Sequence, residues 1–218
     1  MPNIISIVGK SNSGKTTLIE KLIPILTERG YKVGTIKHDA HTFEIDKKGK
    51  DTYRHKQAGA SAVIISSSEK IALIKDVHKE ADLDDLTMLL PDDIDIVITE
   101  GYKRTKMPKI EVFRTANSRE FLCKNDSTLV AVVTDNLYDR ELETVNNKFH
   151  IDAVKDVADF LENTLIKHKN ENLLLYVDGN KIELNDCVKE TIISTIKELL
   201  QPLKGCVNKT NVRIRIEK

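Results

Sequence analysis

Apolar residues in this chain fall into two kinds of run. Short unbroken stretches rich in β-branched residues, foremost residues 4–8 and 94–99, predict strands buried on both faces. After the first of them, Leu18, Ile19, Leu22, Ile23 and Leu26 recur at helical spacing, and Gly30 supplies the stop. Pro24 lies inside that pattern and is expected to kink the helix by removing one backbone donor. Further strands are predicted at 32–37, 62–66, 71–75, 109–113 and 129–133. Helices are predicted at 81–90, ending before Pro91, and at 154–167. Strands alternating with helices make this an α/β chain, its sheet mostly parallel with helices on both faces. In such sheets ligands bind beyond the carboxyl ends of the strands, where the polar loops after Val8 and Thr99 fall.

Residues 167–172 are polar and charged and read as a linker. Beyond them, 173–177 and 181–184 flank Asp178-Gly179, a hairpin signal. A helix over 186–200 and a strand over 212–216 complete a β-β-α-β module. The expected division is a main domain of residues 1–168 and a small module of 173–218. The module is near the ~40-residue limit for independent stability, so it is expected to dock on the main domain or on a partner.

Composition narrows the ligands. With 40% hydrophobic and 31% charged residues, the chain has the profile of an ordinary soluble domain. Lys+Arg and Asp+Glu both total 34, so overall charge gives no reason to expect a nucleic acid or membrane partner. Any anion must be recognised by local charge. Cys123, Cys187 and Cys206 form no CxxC pair, which argues against a zinc or disulfide framework. The N-terminal stretch has no basic segment before a long apolar one, and a cytoplasmic location is expected.

Gly9-Lys10-Ser11-Asn12-Ser13-Gly14-Lys15-Thr16 matches GxxxxGK[ST], with a strand before it and an amphipathic helix beginning at the loop, and these eight residues with Thr17 are candidate nucleotide-binding residues. The glycines let the backbone curl so that successive amides point at a phosphate, and the helix adds its unpaired amides. Lys15 supplies a point charge for the β- and γ-phosphates, and the Thr16 hydroxyl a ligand for Mg²⁺. The P-loop NTPase fold follows as the expected form of the α/β domain. Lys10 has two readings. It occupies the place of a lysine that reaches across the dimer in NTPases resembling MinD and the nitrogenase iron protein. Ser11 and Asn12 depart from the glycines of that group and favour a solvated loop lysine.

A P-loop protein needs an acid on a neighbouring strand to hold Mg²⁺ or its water shell. Glu100 ends the apolar strand at 94–99, whereas Asp95 is about 16 Å away at the strand's amino end. Lys15 and Glu100 are therefore the candidate catalytic pair, and Thr16 and Glu100 the candidate metal ligands.

Several segments in order then resemble one family. They are Gly9 to Leu18, Ile36 to Phe43, Asp46 to Thr52, Ala58-Gly59-Ala60, Thr99-Glu100-Gly101-Tyr102-Lys103 and Pro108 to Val112. The chain to about residue 165 is similar to the molybdopterin-guanine dinucleotide biosynthesis adaptor (MobB) family. The resemblance implies a GTP-binding, weakly hydrolysing homodimer. It would assist the guanylyltransferase that joins GMP to molybdopterin, with GTP, Mg²⁺ and molybdopterin as its ligands. The resemblance carries over Gly9, Gly14, Lys15, Thr16 and Glu100, and with them Lys37, His38, His41, Asp46, Gly49 and Asp51.

Residues 37–51 are too polar for a core and too long for a tight turn. The segment could close on the γ-phosphate and Mg²⁺, present charge to a pterin phosphate, or be a mobile solvated loop. Asp39 and Asp46 are both candidates for a contact with Mg²⁺. His38 and His41 are spaced for a metal but have no third soft ligand nearby. Lys103, Arg104, Lys106, Lys109 and Arg114 form a basic cluster that could attract a pterin phosphate or be a solvated loop. Val133-Thr134-Asp135-Asn136 places a carboxylate that could pair with guanine N1 and N2 protons, without the full Asn/Thr-Lys-x-Asp motif. Two other functions stay open on the residues alone: an ATP-dependent kinase or dethiobiotin-synthetase-like ligase, and a metallocentre-assembly GTPase.

Overall fold

In the computed structural model, residues 3–39, 45–116, 120–167, 173–177, 180–203 and 212 are described. The elements run β1 (Asn3–Val8), α1 (Lys15–Glu28), β2 (Val33–Lys37), α2 (Asp51–Gln57), β3 (Ala62–Ser66), β4 (Ile71–Lys75), α3 (Leu83–Thr87) and β5 (Ile96–Glu100). They continue with β6 (Lys109–Phe113), β7 (Leu129–Thr134), β8 (Lys148–His150), α4 (Val154–Leu161), β9 (Leu175–Val177), β10 (Asn180–Ile182) and α5 (Asp186–Leu200).

Six strands form one sheet in the order β2-β5-β1-β6-β7-β8, every neighbouring pair parallel. The apolar runs are unbroken because both faces are covered. Ile5 and Ile7 of β1, with Ile96, Ile98, Ile110, Val112, Ala131 and Val133, pack under Leu18, Leu22 and Leu26 of α1 and Val157 and Leu161 of α4. The alternate residues point the other way. Val8, Phe113 and Val132 meet Phe121, Cys123 and Leu142, while Ile4 and Val97 meet Leu83 of α3. Burying one such side chain is worth about 1.5–3 kcal/mol. The second face is thus covered by the short α3, a 3-10 turn at Arg140–Leu142 and loops.

Several elements depart from the sequence reading. The helix expected over 81–90 is only Leu83–Thr87, where the Thr87 hydroxyl donates to the Asp84 carbonyl and competes with continuation. Helix α4 gives way at Glu162–Ile166 to a π-helical turn closed by Lys167 N–H donating to the Glu162 carbonyl at 3.0 Å. The five-residue step from Leu161 returns Ile166 to the core, 4% exposed. Helix α2 lies beyond the predicted 37–51 loop and buries none of its residues, so it carries no amphipathic signal. Helix α1 runs through Pro24, and the Thr27 hydroxyl bonds the Ile23 and Pro24 carbonyls.

Strands β3 and β4 stand apart as an antiparallel pair. Ile64 (65%), Ile65 (53%) and Ile71 (71%) are exposed; only Val63, on the face toward α2, is buried. In the C-terminal segment β9 and β10 pair antiparallel, and Asn185 caps α5 by accepting from Val188 N–H at 2.9 Å. Tyr176 Oη donates to Asp85 at 2.6 Å, tying this segment to α3. Asp178-Gly179, and the strand expected over 212–216 apart from Val212, lie outside the described residues. No described helix is long and apolar enough to cross a membrane.

Candidate phosphate-binding site

The loop between β1 and α1 is closed by its own backbone. Gly9 (φ 147°), Asn12 (φ 60°) and Gly14 (φ 99°) all adopt positive φ, which glycine takes freely and asparagine tolerates. A Cβ on Gly9 would lie 2.5 Å from the Val112 carbonyl and 2.7 Å from Ser13 Oγ, so the chain has no room there for a side chain. Gly14 begins α1 without a side-chain cap, and the first-turn amides have no carbonyl behind them within the helix. Ser13 is 2% exposed, and its hydroxyl has no hydrogen-bond partner among the described residues. An anion held by the loop would satisfy these donors.

Lys15 folds back over the loop, its Nζ donating to the Lys10 carbonyl at 2.7 Å. Burial pulls its pKa below the ordinary lysine value; Glu100 opposes the shift, while Lys103 and Lys37 add to it. Those two lysines therefore bring positive charge to the same place. Thr16 Oγ1 lies 3.0 Å from both carboxylate oxygens of Glu100. Strand pairing sets that contact: Glu100 is in register with Ile7 of β1 on one side and Lys37 of β2 on the other. Gly101, at φ 97°, then turns the chain so that its N–H reaches the Ile7 carbonyl at 3.0 Å.

Thr16 and Glu100 suit a hard divalent cation, since both present oxygen at the ligand edge of the sheet. Among the described residues there is no cluster of three His, Cys, Asp or Glu side chains. A cation here would complete its shell with phosphate oxygens and water, as Mg²⁺ does.

The remaining sequence candidates divide. Ser11, Asn12 and Thr17 are exposed on the loop and first turn. Lys10 pairs with Glu120 of its own chain at 2.5 Å. His38 follows Lys37 at the end of β2, donates its backbone N–H to the Glu100 carbonyl at 2.9 Å, and places Nε2 2.7 Å from Glu80. Asp46 (φ 95°) accepts from Lys47 N–H and the Thr52 hydroxyl, while Asp51 pairs loosely with Arg54 at 3.8 Å. These contacts stay within their own segment. His41 lies outside the described residues. Asp95 sits at the amino end of the sheet as expected, accepting from Lys32 N–H at 3.0 Å.

The basic cluster needs correction. Lys109 opens β6 level with Ser6 in the middle of β1, and its side chain turns to the segment before β7, away from the phosphate loop. It is 1% exposed, and its ammonium bonds Thr128 and lies 3.1 Å from Asp126. Arg114 follows the carboxyl end of β6 and reaches the ligand edge, where it holds Asp135 at 3.1 Å. The sequence reading also missed Glu80 and Glu120, which no motif marks. It missed as well the job of Glu111, a buried carboxylate that accepts from Leu122 and Cys123 N–H at 2.9 and 2.7 Å. Burial pushes its pKa up, and those two bonds oppose the rise.

A parallel six-stranded sheet, a glycine loop between its central strand and the next helix, and an acid ending the adjacent strand define a P-loop α/β protein. Within that class the chain belongs to the MobB family: residues 4–135 match the family described as molybdopterin guanine dinucleotide synthesis protein B. It is 38% identical over 163 residues to the molybdopterin-guanine dinucleotide biosynthesis adapter protein of Haemophilus influenzae, covering 74% of this chain and 89% of that protein. A Methanocaldococcus jannaschii protein provisionally given the same name is 29% identical and covers 98% of this chain and 97% of its own length. Among solved structures, the MobB homolog from Bacillus stearothermophilus superposes with a TM-score of 0.58 at 25% identity, over 74% of this chain and 96% of that one.

Proposed function

We propose that the protein is a GTP-binding adapter in the synthesis of molybdopterin guanine dinucleotide. In this reading it works as a homodimer beside the guanylyltransferase that performs the transfer. The observation that carries the reading is the Thr16–Glu100 contact beside Lys15, at one end of a loop built to receive a phosphate. Loop amides and Lys15 bind the phosphates. Thr16 and Glu100 would hold a Mg²⁺, which would supply positive charge against the phosphates. Lys37 and Lys103 add positive potential at the same edge and suit a second phosphate, such as that of molybdopterin. Hydrolysis by the isolated protein is slow in this reading, because no arginine finger or water-positioning glutamine can be assigned among the described residues.

The β3–β4 hairpin supports the homodimer, since a two-stranded sheet is marginal in water and this one, apart from the buried Val63, exposes apolar side chains on both faces. The Lys10–Glu120 pair favours a lysine that stays with its own chain. Residues 1–168 form the nucleotide-binding domain and 173–218 an appended module. The full-length match to the M. jannaschii protein supports treating that module as part of the design.

The test is calorimetric titration of GTP, ATP and purified molybdopterin into wild-type protein and Lys15→Ala, with Mg²⁺ present. Binding of GTP that is lost in Lys15→Ala, together with separate binding of molybdopterin, is the expected result. Preference for ATP with no pterin binding would leave the phosphate loop in place and overturn the adapter reading.

A further inference from the structure

Strand order places three loops around the phosphate site. The loop after β1 presses on β6, as the Gly9–Val112 approach records. The chain after β6 carries Arg114, the chain after β7 carries Asp135, and the chain after β8 begins with Ile151. Ile151 N–H donates to the Thr134 carbonyl at 2.9 Å, which ties the β8 loop to the end of β7. The Cδ1 of Ile151 also lies 3.7 Å from where a Cβ on Gly14 would be, so this loop touches the phosphate loop itself. The carboxyl ends of β6 and β7 and the Ile151 loop thus make a shelf beside the phosphate loop, on the side away from Glu100.

Asp135 is the carboxylate on that shelf. Arg114 Nε holds its Oδ2 at 3.1 Å, while its Oδ1 has no hydrogen-bond partner among the described residues and is shielded from water. A carboxylate oxygen left in that state is costly until a donor reaches it. The side chain as a whole is 26% exposed, and its terminal torsion is broad, so a small turn offers both oxygens to a ligand. Strand β7 is two strands from β1, about 10 Å at ordinary inter-strand spacing. An α-phosphate and a ribose bridge that gap.

We propose that Asp135 reads the base of the bound nucleotide, its carboxylate accepting from N1–H and the 2-amino group of guanine, with Arg114 as its positioning residue. This rests on the reading of the loop as a nucleoside triphosphate site. A carboxylate accepts only. Guanine presents two adjacent donors on that edge, whereas adenine presents an acceptor at N1, a plain C–H at C2, and its amine only at C6. A site that hydrogen-bonds specific donors rejects a ligand lacking them far more strongly than a shape-selective pocket does.

The experiment measures equilibrium binding of GTP, ATP and xanthosine triphosphate, with Mg²⁺, to the full-length wild type and Asp135→Asn. Xanthine keeps N1–H but carries a carbonyl at C2, which suits an asparagine amide. The wild type is expected to favour GTP over both others by tenfold or more. Asp135→Asn is expected to lose at least tenfold for GTP and to gain at least as much for xanthosine triphosphate. A gained ligand cannot come from a misfolded variant. Unchanged GTP binding in Asp135→Asn, or equal loss of all three nucleotides, would overturn the proposal. Equal wild-type affinity for GTP and ATP would overturn base reading and leave the phosphate site standing. No nucleotide binding by the wild type would overturn both.

Discussion

The Thr16 hydroxyl and the Glu100 carboxylate lie 3.0 Å apart although 84 residues separate them in the chain. Helix α1 delivers one and the end of β5 the other, and the parallel pairing of β5 with β1 brings them together. Everything assigned to the cation depends on this contact.

Glu100→Gln keeps the size and one acceptor oxygen but removes the charge. It is expected to lower Mg²⁺-dependent GTP affinity about tenfold, or ~1.4 kcal/mol, and to leave Mg²⁺-free binding little changed. Titrations with and without a chelator separate the two. An equal loss in both conditions would mean that Glu100 acts on the loop and not on the metal.

Two lysines of one basic run are expected to behave oppositely. Lys109→Ala leaves Asp126 and Thr128 without their buried partner and is expected to destabilise the fold by about 3 kcal/mol. Lys103→Ala, on the exposed loop, is expected to change stability by no more than about 0.5 kcal/mol and to weaken binding of anionic ligands. Urea midpoints and ligand titrations on both variants check this.

Asp126 has a pKa below the ordinary aspartate value, held there first by the Thr128 hydroxyl and, more weakly, by Lys109. A carboxyl with a depressed folded pKa contributes stability above its unfolded pKa and loses it as pH falls through the folded one. The stability gap between wild type and Asp126→Asn is therefore expected to be full near neutral pH and to shrink below about pH 4, the ordinary aspartate pKa. Denaturation curves at successive pH values test the sign; a gap that widened on acidification would exclude the assignment.

Cys123 and Cys187 should separate cleanly in reactivity. Cys123 is buried, and desolvation with the neighbouring Glu111 carboxylate pushes its thiol up to about 12. Cys187 is exposed at the start of α5. At neutral pH an alkylating reagent is expected to label Cys187 within minutes and Cys123 only on unfolding, as peptide mass mapping would show.

Much of this site is contiguous in sequence, and that part was legible. Gly9 to Thr16 is one uninterrupted segment, and the strand before it and the helix after it carry their own periodicities. Glu100 could be placed because a buried apolar run has two ends and only one of them can face the ligand. Helix α2 gave no sign because it buries no face. The shortening of α3 and the π turn after α4 were decided by side-chain bonds and core packing, which periodicity does not report.

The sequence by itself determined the glycine loop of residues 9–16 between a strand and a helix, a mostly parallel α/β plan, and the place of Glu100 at the carboxyl end of its strand. Each follows from local backbone preference and from which residues avoid water. Only the tertiary structure decided that Lys109 is a buried anchor and Arg114 a ligand-edge residue, that Glu80 meets His38, and that Asp135 shares a shelf with Ile151. The physical reason is that strand direction and order fix which edge of the sheet a residue occupies. Those are set by the pairing of distant backbones, so two members of one basic run can take a buried anchor's place and a ligand-edge place while residues 84 apart share a hydrogen bond.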